Sequence, residues 1–283
     1  MKVLVTGATG FIGNYVITEL LKYNFDVIAS GVETKKEIHS EWLGKVTYKH
    51  ADLNENREDW FSYFNKPDII IHLSWEGLPN YRELFHIERN LPNNYFFLKK
   101  MIENGLKKVV VIGTCFEYGI QTGLLKEDLE TKPNNPYGLA KDCLRKFIYE
   151  LQKNIDFDLK WIRLFYMYGK GQSHNSILSQ LEAALKRDDK IFNMSGGEQL
   201  RDYLLVEKVA EYIVKISMQD KISGIINCCS GKPVSIKELV ENYLAEKNKS
   251  IELNLGYYPY PDYEPMAFWG NTKKLKKALE LSE

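Results

Sequence analysis

A tyrosine and a lysine four residues apart, Tyr137 and Lys141, have the clearest chemical use in this sequence. Residues at positions i and i+4 of a helix share one face, so both side chains can enter one site. A tyrosine hydroxyl has an ordinary pKa of about 10, and a neighbouring ammonium lowers that pKa by stabilising the phenolate. Thr114 ends the apolar run 108–113 and supplies a hydroxyl that can hold a reacting oxygen. These three residues predict proton exchange with a substrate oxygen.

A glycine-rich turn near the start of the chain predicts a nucleotide site. Residues 2–5 indicate a buried strand, and residues 11–21 carry apolar side chains at helical spacing. Between them, Gly7 permits a tight turn, Gly10 lets backbone N–H groups approach a pyrophosphate, and Gly13 lets the helix pack closely. The N-terminus of the helix then offers unpaired N–H groups to an anion.

Composition excludes several classes of function. The 283 residues can form one large core, or a main domain with a smaller lobe. The 38 acidic and 38 basic residues balance, so we expect no nucleic-acid or anionic-membrane partner. No apolar run approaches the roughly 20 residues that span a bilayer. The chain opens on a core strand without a leader pattern, which indicates a cytoplasmic protein. The four cysteines lack zinc-like spacing, so we expect no metal.

Strand and helix patterns alternate along the chain. This alternation predicts an α/β fold with a doubly wound parallel sheet of the Rossmann type. We assign residues 1–165 to a dinucleotide-binding domain, joined in space by roughly 200–230, and 166–283 mainly to a smaller C-terminal substrate lobe. A long helix is expected over 86–104, with a kink or a restart at Pro92.

The motifs together resemble one family. TGATGFIG at residues 6–13, the Tyr137-x-x-x-Lys141 pair and Thr114-x-x-x-Tyr118-Gly119 are similar to the extended short-chain dehydrogenase/reductase family of nucleotide-sugar epimerases, dehydratases and reductases. The resemblance covers nearly the whole chain and implies that Thr114, Tyr137 and Lys141 are catalytic. The cofactor-binding residues that it implies are Gly7, Gly10, Phe11, Ile12, Gly13, Ser30, Lys35, Asp52, Leu53, Leu73, Ser74, Asn90, Tyr137, Lys141 and Phe165.

The end of the second strand selects the cofactor in dinucleotide folds, because an acid there binds the ribose 2′-OH of NAD. Gly31 stands where the family has that acid, and Ser30 and Lys35 suit a 2′-phosphate, which favours NADP. Glu33 is close enough to take the role that NAD requires. Asp52 matches the family residue that contacts adenine, and its alternative role is to cap a following helix.

Substrate contacts are implied by the resemblance and by loop position. We expect His72 to have a structural role. The predicted substrate-binding residues are Trp75, Glu76, Thr114, Tyr166, His174, Phe192, Asn193 and Arg201. Arg201 opens a family-like Arg-Asp-Tyr signature, and its guanidinium suits a nucleotide diphosphate.

Positions at which this sequence departs from the family pattern limit which of the family's reactions it can catalyse. The dehydratases carry an acid pair directly after the threonine, and here those positions hold Cys115 and Phe116. Glu117 comes one place too late and would point away if the segment is extended. A 4-ketoreductase needs only the threonine, tyrosine, lysine and a hydride donor.

We therefore predict NAD(P)H-dependent reduction of a dTDP- or CDP-linked 4-keto-6-deoxy sugar for surface polysaccharide. An NAD-dependent nucleotide-sugar 4-epimerase and a non-catalytic nucleotide-binding regulator are the alternatives. The resemblance also implies a homodimer formed through the helices that carry Asn90 and Tyr137.

Overall fold

The computed structural model describes residues 1–55, 57–260, 262 and 264–280. Its strands are β1 (Lys2–Thr6), β2 (Asp26–Gly31), β3 (Thr47–His50), β4 (Ile69–His72), β5 (Lys108–Thr114), β6 (Gly123–Leu125), β7 (Asp158–Leu164), β8 (Tyr166–Tyr168), β9 (Ile191–Asn193), β10 (Leu200–Leu205), β11 (Gly224–Cys228), β12 (Pro233–Ser235), β13 (Glu252–Asn254) and β14 (Phe268–Gly270). Its α-helices are α1 (Phe11–Leu20), α2 (Trp60–Tyr63), α3 (Leu91–Glu103), α4 (Pro136–Gln152), α5 (Ile177–Lys186), α6 (Val206–Met218), α7 (Ile236–Glu246) and α8 (Lys273–Glu280). Of the described helices, none is both long and apolar enough to cross a membrane.

Seven strands form a parallel sheet in the order β11-β7-β5-β4-β1-β2-β3. The chain runs outward from β1 through β2 to β3, then returns to β4 on the other side of β1. The crevice at the carboxyl ends of β1 and β4 is therefore the point where ligands bind in such sheets. The predicted doubly wound α/β fold is confirmed.

Helices cover both faces of this sheet because its strands are apolar on both sides. Val3 and Val5 of β1 join a buried cluster with residues of α1, α6 and α8. Leu4, between them, joins a second buried cluster with residues of α2, α3 and α4. Alternate residues of one strand thus support two layers of helices.

A smaller cluster lies outside the main sheet. Residues of α5, α7 and β9 pack together there, and β9 pairs with β13. By contrast α6, α8 and β11 pack with the main sheet, although all three follow residue 165. The division at 165 stays a prediction, with these elements on the dinucleotide-binding side in space.

The helix expected over 86–104 begins with a π-helical turn instead of an α-helical one. His86–Asn90 forms a π-helical turn that continues directly into α3. Pro92 lies in the first turn of α3, and it lacks the N–H that could bond a carbonyl of the preceding π-helical turn. The α-helix therefore restarts beside this proline, at Leu91.

Candidate active site

A glycine turn joins β1 to α1 at the carboxyl edge of the sheet. Gly7 has φ +67°, and a Cβ there would lie 2.9 Å from the backbone nitrogen of Ser74. A Cβ on Gly13 would lie 2.1 Å from the carbonyl oxygen of Gly7, so glycine is required for this close packing. Gly10 is the N-cap of α1 and has no side chain to fill the space ahead of it. The helix therefore offers free amide N–H groups to an anionic ligand.

A cavity of about 190 Å³ opens beside this turn. Residues predicted to hold the cofactor line it together, namely Gly7, Gly10, Ser30, Leu53, Leu73, Ser74 and Asn90. The predicted substrate residues Trp75 and Glu76 line the same cavity. Polar residues that sequence reasoning missed complete its wall, namely Thr9, Asn54, Asn93 and Asn94. A bare glycine turn beside a polar wall at the switch point of the sheet fits a dinucleotide.

Glu33 reaches back to the end of β2. Its Oε2 accepts a hydrogen bond from the Thr9 hydroxyl at 2.5 Å. A Cβ on Gly31 would lie only 2.8 Å from that same Oε2, so the carboxylate fills the space of a side chain at position 31. Tyr48 holds the loop by donating to the Glu33 carbonyl at 2.5 Å. Lys35 is exposed on the turn beyond, and its predicted phosphate contact stays a prediction.

Asp52 organises the loop after β3. Its Oδ1 accepts from the backbone N–H of Asn54 at 2.9 Å and from the Asn54 amide at 2.7 Å. The Asn54 amide also donates to Glu76 at 3.1 Å, across the cavity. The alternative that Asp52 caps a helix is wrong, because α2 begins later and its N-cap is Asp59. The adenine contact of Asp52 stays a prediction.

His72 at the end of β4 is buried and fully bonded. Its Nδ1 shares a hydrogen bond of 2.8 Å with the Thr6 hydroxyl, and its Nε2 shares one of 2.7 Å with Asn94. Burial lowers the pKa of His72 to about 3, so the ring is neutral. The side chain joins β1, β4 and α3, as a structural histidine would.

Thr114, Tyr137 and Lys141 lie around one point at the carboxyl end of β5. Asn135 caps α4, which places Tyr137 in the first turn of that helix and Lys141 one turn later. The side chain of Tyr137 faces that of Thr114. Lys141 Nζ donates to the Ile112 carbonyl at 2.9 Å. The structure therefore brings the three predicted catalytic residues together.

Burial dominates the electrostatics of this trio. It lowers the pKa of Lys141 to about 7, a shift that the Glu117 carboxylate opposes. Burial, followed by the neighbouring Tyr81, raises the pKa of Tyr137 above its usual range. The predicted lowering of this pKa by Lys141 and an oxidised nicotinamide stays a prediction, and the Lys141 ammonium faces the Ile112 carbonyl and the Trp75 ring.

Aromatic rings surround Tyr137 and form what we call the aromatic collar. The distances from the Tyr137 ring centroid are 6.1 Å to Trp75, 5.6 Å to Tyr81, 5.3 Å to His86 and 6.1 Å to Phe116. Sequence reasoning missed Tyr81 and His86 because they precede the α-helix. The only available signal was that His86 stands four residues before Asn90, on the same predicted helical face.

His86 fixes the indole of Trp75. Trp75 Nε1 donates to His86 Nδ1 at 3.0 Å, so the ring proton of neutral His86 lies on Nε2, 3.0 Å from the Asn80 carbonyl. Burial lowers the pKa of His86 and keeps it neutral. Held in this way, Trp75 lies with its ring centroid 4.0 Å from Lys141 Nζ.

The three residues after the catalytic threonine offer no available acid. Burial raises the pKa of Cys115, so its thiol is neutral, and Phe116 belongs to the aromatic collar. The segment is a 3₁₀ turn rather than an extended strand, which directs Glu117 inward. Its carboxylate accepts from Trp161 Nε1 at 2.8 Å and from Arg163 Nε at 2.7 Å.

A partly buried carboxylate ties two predicted substrate residues together. Glu264 accepts from the Tyr166 hydroxyl at 2.5 Å and from the Arg201 guanidinium at 2.8 Å. Sequence reasoning missed Glu264, whose distance along the chain gives no local signal. The predicted diphosphate contact of Arg201 stays a prediction, and the structure gives its guanidinium an internal partner.

The remaining predicted residues are more dispersed. Phe192 is buried in the core of the smaller cluster, and Asn193 accepts from the Asn254 amide at 2.8 Å. His174 is exposed on the loop after β8. Phe165 is buried in a separate apolar cluster. Their predicted ligand contacts stay predictions.

Comparisons with known proteins agree with this geometry. The profile of the NAD dependent epimerase/dehydratase family matches residues 3–229. The chain is 32% identical, over 95% of its length and 99% of the relative, to dTDP-6-deoxy-L-talose 4-dehydrogenase (NAD(+)) of Aggregatibacter actinomycetemcomitans. It is 27% identical to UDP-glucose 4-epimerase of Halalkalibacterium halodurans, over 85% of this chain and 79% of that one. UDP-glucuronic acid 4-epimerase from Bacillus cereus, solved with UDP-glucuronic acid and NAD, shares the fold with a TM-score of 0.82, 23% identity and coverage of 99% and 93%.

Proposed function

The chain belongs to the NAD dependent epimerase/dehydratase family, and we propose that it interconverts the 4-keto and 4-hydroxyl groups of a nucleotide-linked 6-deoxyhexose. The biosynthetic direction is reduction of the 4-keto group. The main observation behind the proposal is that none of the three residues after Thr114, positions 115–117, provides an acid or a base to the substrate. Such a site suits hydride exchange at C4, assisted by Thr114, Tyr137 and Lys141.

An elimination needs a further proton donor close to the reacting sugar. The buried thiol of Cys115 is neutral, Phe116 has no proton to give, and the Glu117 carboxylate is engaged by Trp161 and Arg163. Reduction of a ketone needs one proton, which Tyr137 can deliver. The chemistry available in this site therefore matches a 4-oxidoreductase better than a 4,6-dehydratase.

Each catalytic side chain has a separate task. A dinucleotide whose pyrophosphate would be held at the glycine turn would supply or accept the hydride through its nicotinamide. Tyr137 donates its hydroxyl proton to the oxygen on C4 in reduction and removes that proton in oxidation. Thr114, whose side chain faces that of Tyr137, holds the same oxygen. Lys141 places a positive charge beside the site, and the aromatic collar excludes water from it.

Two observations support a 6-deoxyhexose as the substrate. The aromatic collar presents apolar ring surface around Tyr137, which suits a C6 methyl group better than a carboxylate or a hydroxymethyl group. A relative with 32% identity is named for a dTDP-6-deoxyhexose and for oxidation at its C4. A role in surface polysaccharide synthesis follows as a prediction from the use of such sugars.

We propose NAD as the preferred cofactor, in place of the NADP that the sequence favours. The Glu33 carboxylate occupies the space of a side chain at position 31, where the fold places the acid that binds a ribose 2′-OH. A negative charge there repels a 2′-phosphate. Thr9 holds the carboxylate in place, which makes its position independent of ligand.

The second candidate is a nucleotide-sugar 4-epimerase. The same three catalytic residues would serve it, and relatives with that activity share the fold and 27% identity in one case. An epimerase returns its hydride to the sugar, so the cofactor shows no net change. A non-catalytic regulator is the third reading, and an unaltered function after Tyr137→Phe would favour it.

The decisive experiment follows absorbance at the reduced-nicotinamide band with purified protein, NADH or NADPH, and dTDP-4-keto-6-deoxyglucose. We expect consumption of NADH, faster than of NADPH, with the product identified by NMR at C4. Consumption of neither cofactor, together with interconversion of UDP-glucose and UDP-galactose, would replace the proposal by the epimerase. The CDP-linked sugar serves as a parallel substrate to define the nucleotide.

We also propose a homodimer built on α3 and α4. Phe96 is 57% exposed, and Leu139 and Phe147 are 41% and 44% exposed. Phe147 lies beside Tyr95 of α3, with ring centroids 5.5 Å apart, so the apolar surface continues across both helices. A second copy of the same surface is the partner that best covers it.

A further inference from the structure

Glu117 is a fully buried carboxylate directly beneath the catalytic threonine. Its Oε1 accepts from the backbone N–H of Thr114 at 2.9 Å and from Trp161 Nε1 at 2.8 Å. Its Oε2 accepts from Arg163 Nε at 2.7 Å and lies 3.6 Å from Arg145 Nε. One side chain thus contacts β5, β7 and α4, the elements that surround the catalytic trio.

We propose that Glu117 is a positioning residue for the proposed 4-oxidoreduction: it fixes Thr114 at the reacting oxygen and supplies the buried negative charge that faces Lys141. This inference depends on the proposed function only in naming the reaction that Thr114 and Lys141 assist.

The link to Thr114 is a capping box. Thr114 is the N-cap of the 3₁₀ turn, and its hydroxyl accepts from the backbone N–H of Phe116 at 3.3 Å. Glu117 returns the contact through the Thr114 N–H, so the backbone and the side chain of Thr114 are both held. Gly113 leaves room for this, since a Cβ there would lie 2.4 Å from Glu117 Oε1.

The link to Lys141 runs through α4. Arg145 lies one turn after Lys141 on the same face and turns its guanidinium toward Glu117. The titratable groups that face Lys141 from other elements are His72 and His86, and both are neutral because burial lowers the pKa of each. The charge of Glu117 raises the pKa of Lys141 against the effect of burial.

The negative charge of Glu117 also acts on Tyr137. The groups facing its hydroxyl are Tyr81, Thr114 and Cys115, and the Glu117 carboxylate acts with them to raise the pKa of Tyr137. Removal of one negative charge must therefore lower the pKa of both Tyr137 and Lys141. A glutamate that only holds the backbone of Thr114, without acting on Lys141 and Tyr137 through its charge, would show no such coupled effect.

The first test needs no substrate. Loss of the Lys141 charge alters the fluorescence of Trp75, whose ring centroid lies 4.0 Å from Nζ. The pH-dependent signal that disappears in Trp75→Phe reports this titration, with a wild-type midpoint expected near pH 7. We expect Glu117→Gln to lower the midpoint by roughly half a pH unit or more. An unmoved midpoint in folded Glu117→Gln protein overturns the proposal.

Asp202→Asn is the matched control. Asp202 is equally buried and accepts from the backbone N–H groups of Ser230 and Gly231, but it lies on β10. We expect this variant to lose stability with an unchanged midpoint, and an equal shift would overturn the specific role of Glu117. If Glu117→Gln does not fold, the midpoint of Glu117→Gln/Arg163→Met must lie below that of Arg163→Met, because these two variants differ only in the Glu117 charge.

The second test is the pH profile of kcat/KM. In Glu117→Gln the acidic limb and the basic limb of the profile should both move to lower pH. The plateau value of kcat/KM should fall by roughly tenfold, because Thr114 is held less firmly. A lower plateau with fixed limbs indicates a structural role alone and overturns the proposal. Because the fluorescence test is independent of substrate, a shifted midpoint supports the role of Glu117 even if 6-deoxyhexoses prove not to be substrates.

Discussion

The indole ring of Trp75 lies over the ammonium of Lys141, with Nζ 4.0 Å from the ring centroid. The Ile112 carbonyl accepts a hydrogen bond from the same ammonium at 2.9 Å. A ring face and one carbonyl replace only part of the hydration that a lysine has in water. Burial of the charged Lys141 therefore lowers the stability of the fold, and this cost can be measured.

Lys141→Met should stabilise the fold at low pH. Below pH 7 the ammonium is charged in both the folded and the unfolded state, so the folded state bears the full cost of burial. Between pH 7 and the ordinary lysine pKa the folded state has lost the proton and the unfolded state keeps it, so the cost fades as pH rises.

Thermal melts at pH 6, 8 and 10 measure this dependence. The Tm advantage of Lys141→Met should be greatest at pH 6 and shrink toward pH 10. Lys153→Met, at the exposed end of α4, is the control and should show no such trend. A Tm difference that is constant with pH would contradict the assignment.

Tyr137→Phe should abolish turnover without loss of fold. The variant removes the proton donor and leaves the aromatic collar in place, so kcat should fall by roughly 10²–10⁴-fold. NADH binding, measured by its fluorescence, should stay within about twofold. Tyr149→Phe, further along the same helix, is the control and should retain activity. Comparable losses in both variants would argue against a specific role for Tyr137.

Glu33→Ala should weaken NADH binding and spare NADPH. Loss of hydrogen bonds to a charged acceptor costs about 1.5–3 kcal/mol, which corresponds to roughly 10–100-fold in Kd. Fluorescence titration with both cofactors measures the change in preference. Glu37→Ala removes an acid that bonds Thr34 in the same loop, and it should leave the ratio of the two Kd values unchanged. Equal weakening of both cofactors would refute the role of Glu33.

Arg201→Met should destabilise the protein by about 2–4 kcal/mol, because it leaves the largely buried Glu264 carboxylate without its cation. Denaturant unfolding measures the loss. The double variant Arg201→Met/Glu264→Gln removes both charges and should recover most of the stability. If the single variant is as stable as wild type, the ion pair has no structural role and Arg201 is free for substrate.

Phe147→Glu should convert the proposed dimer to a monomer, because it places a charge within an apolar interface. Light scattering coupled to size exclusion measures the mass of each species. Ile191→Glu, at an equally exposed apolar residue on β9, is the control and should leave the mass unchanged. A monomeric wild-type protein would remove the dimer proposal altogether.

Local rules predicted much of the site. The glycine spacing and the apolar run before it indicated the strand, turn and helix at β1 and α1. The four-residue spacing placed Tyr137 and Lys141 on one helical face, and the position of Thr114 at a strand end brought it to the same edge. Each of these features depends on residues close in sequence, or on the rule that parallel strands share their carboxyl edge.

The sequence alone determined the family, the doubly wound sheet and the placement of the three predicted catalytic side chains at one edge of that sheet, because backbone periodicity and turn chemistry are encoded locally. Only the tertiary structure decided that Glu33 returns over Gly31, that Glu117 is buried between two arginines, and that Trp75 covers Lys141. These relationships depend on side-chain contacts between distant segments, where burial and charge change what a residue can do. Burial in the folded chain also raises the pKa of Tyr137, an effect that its spacing from Lys141 does not reveal.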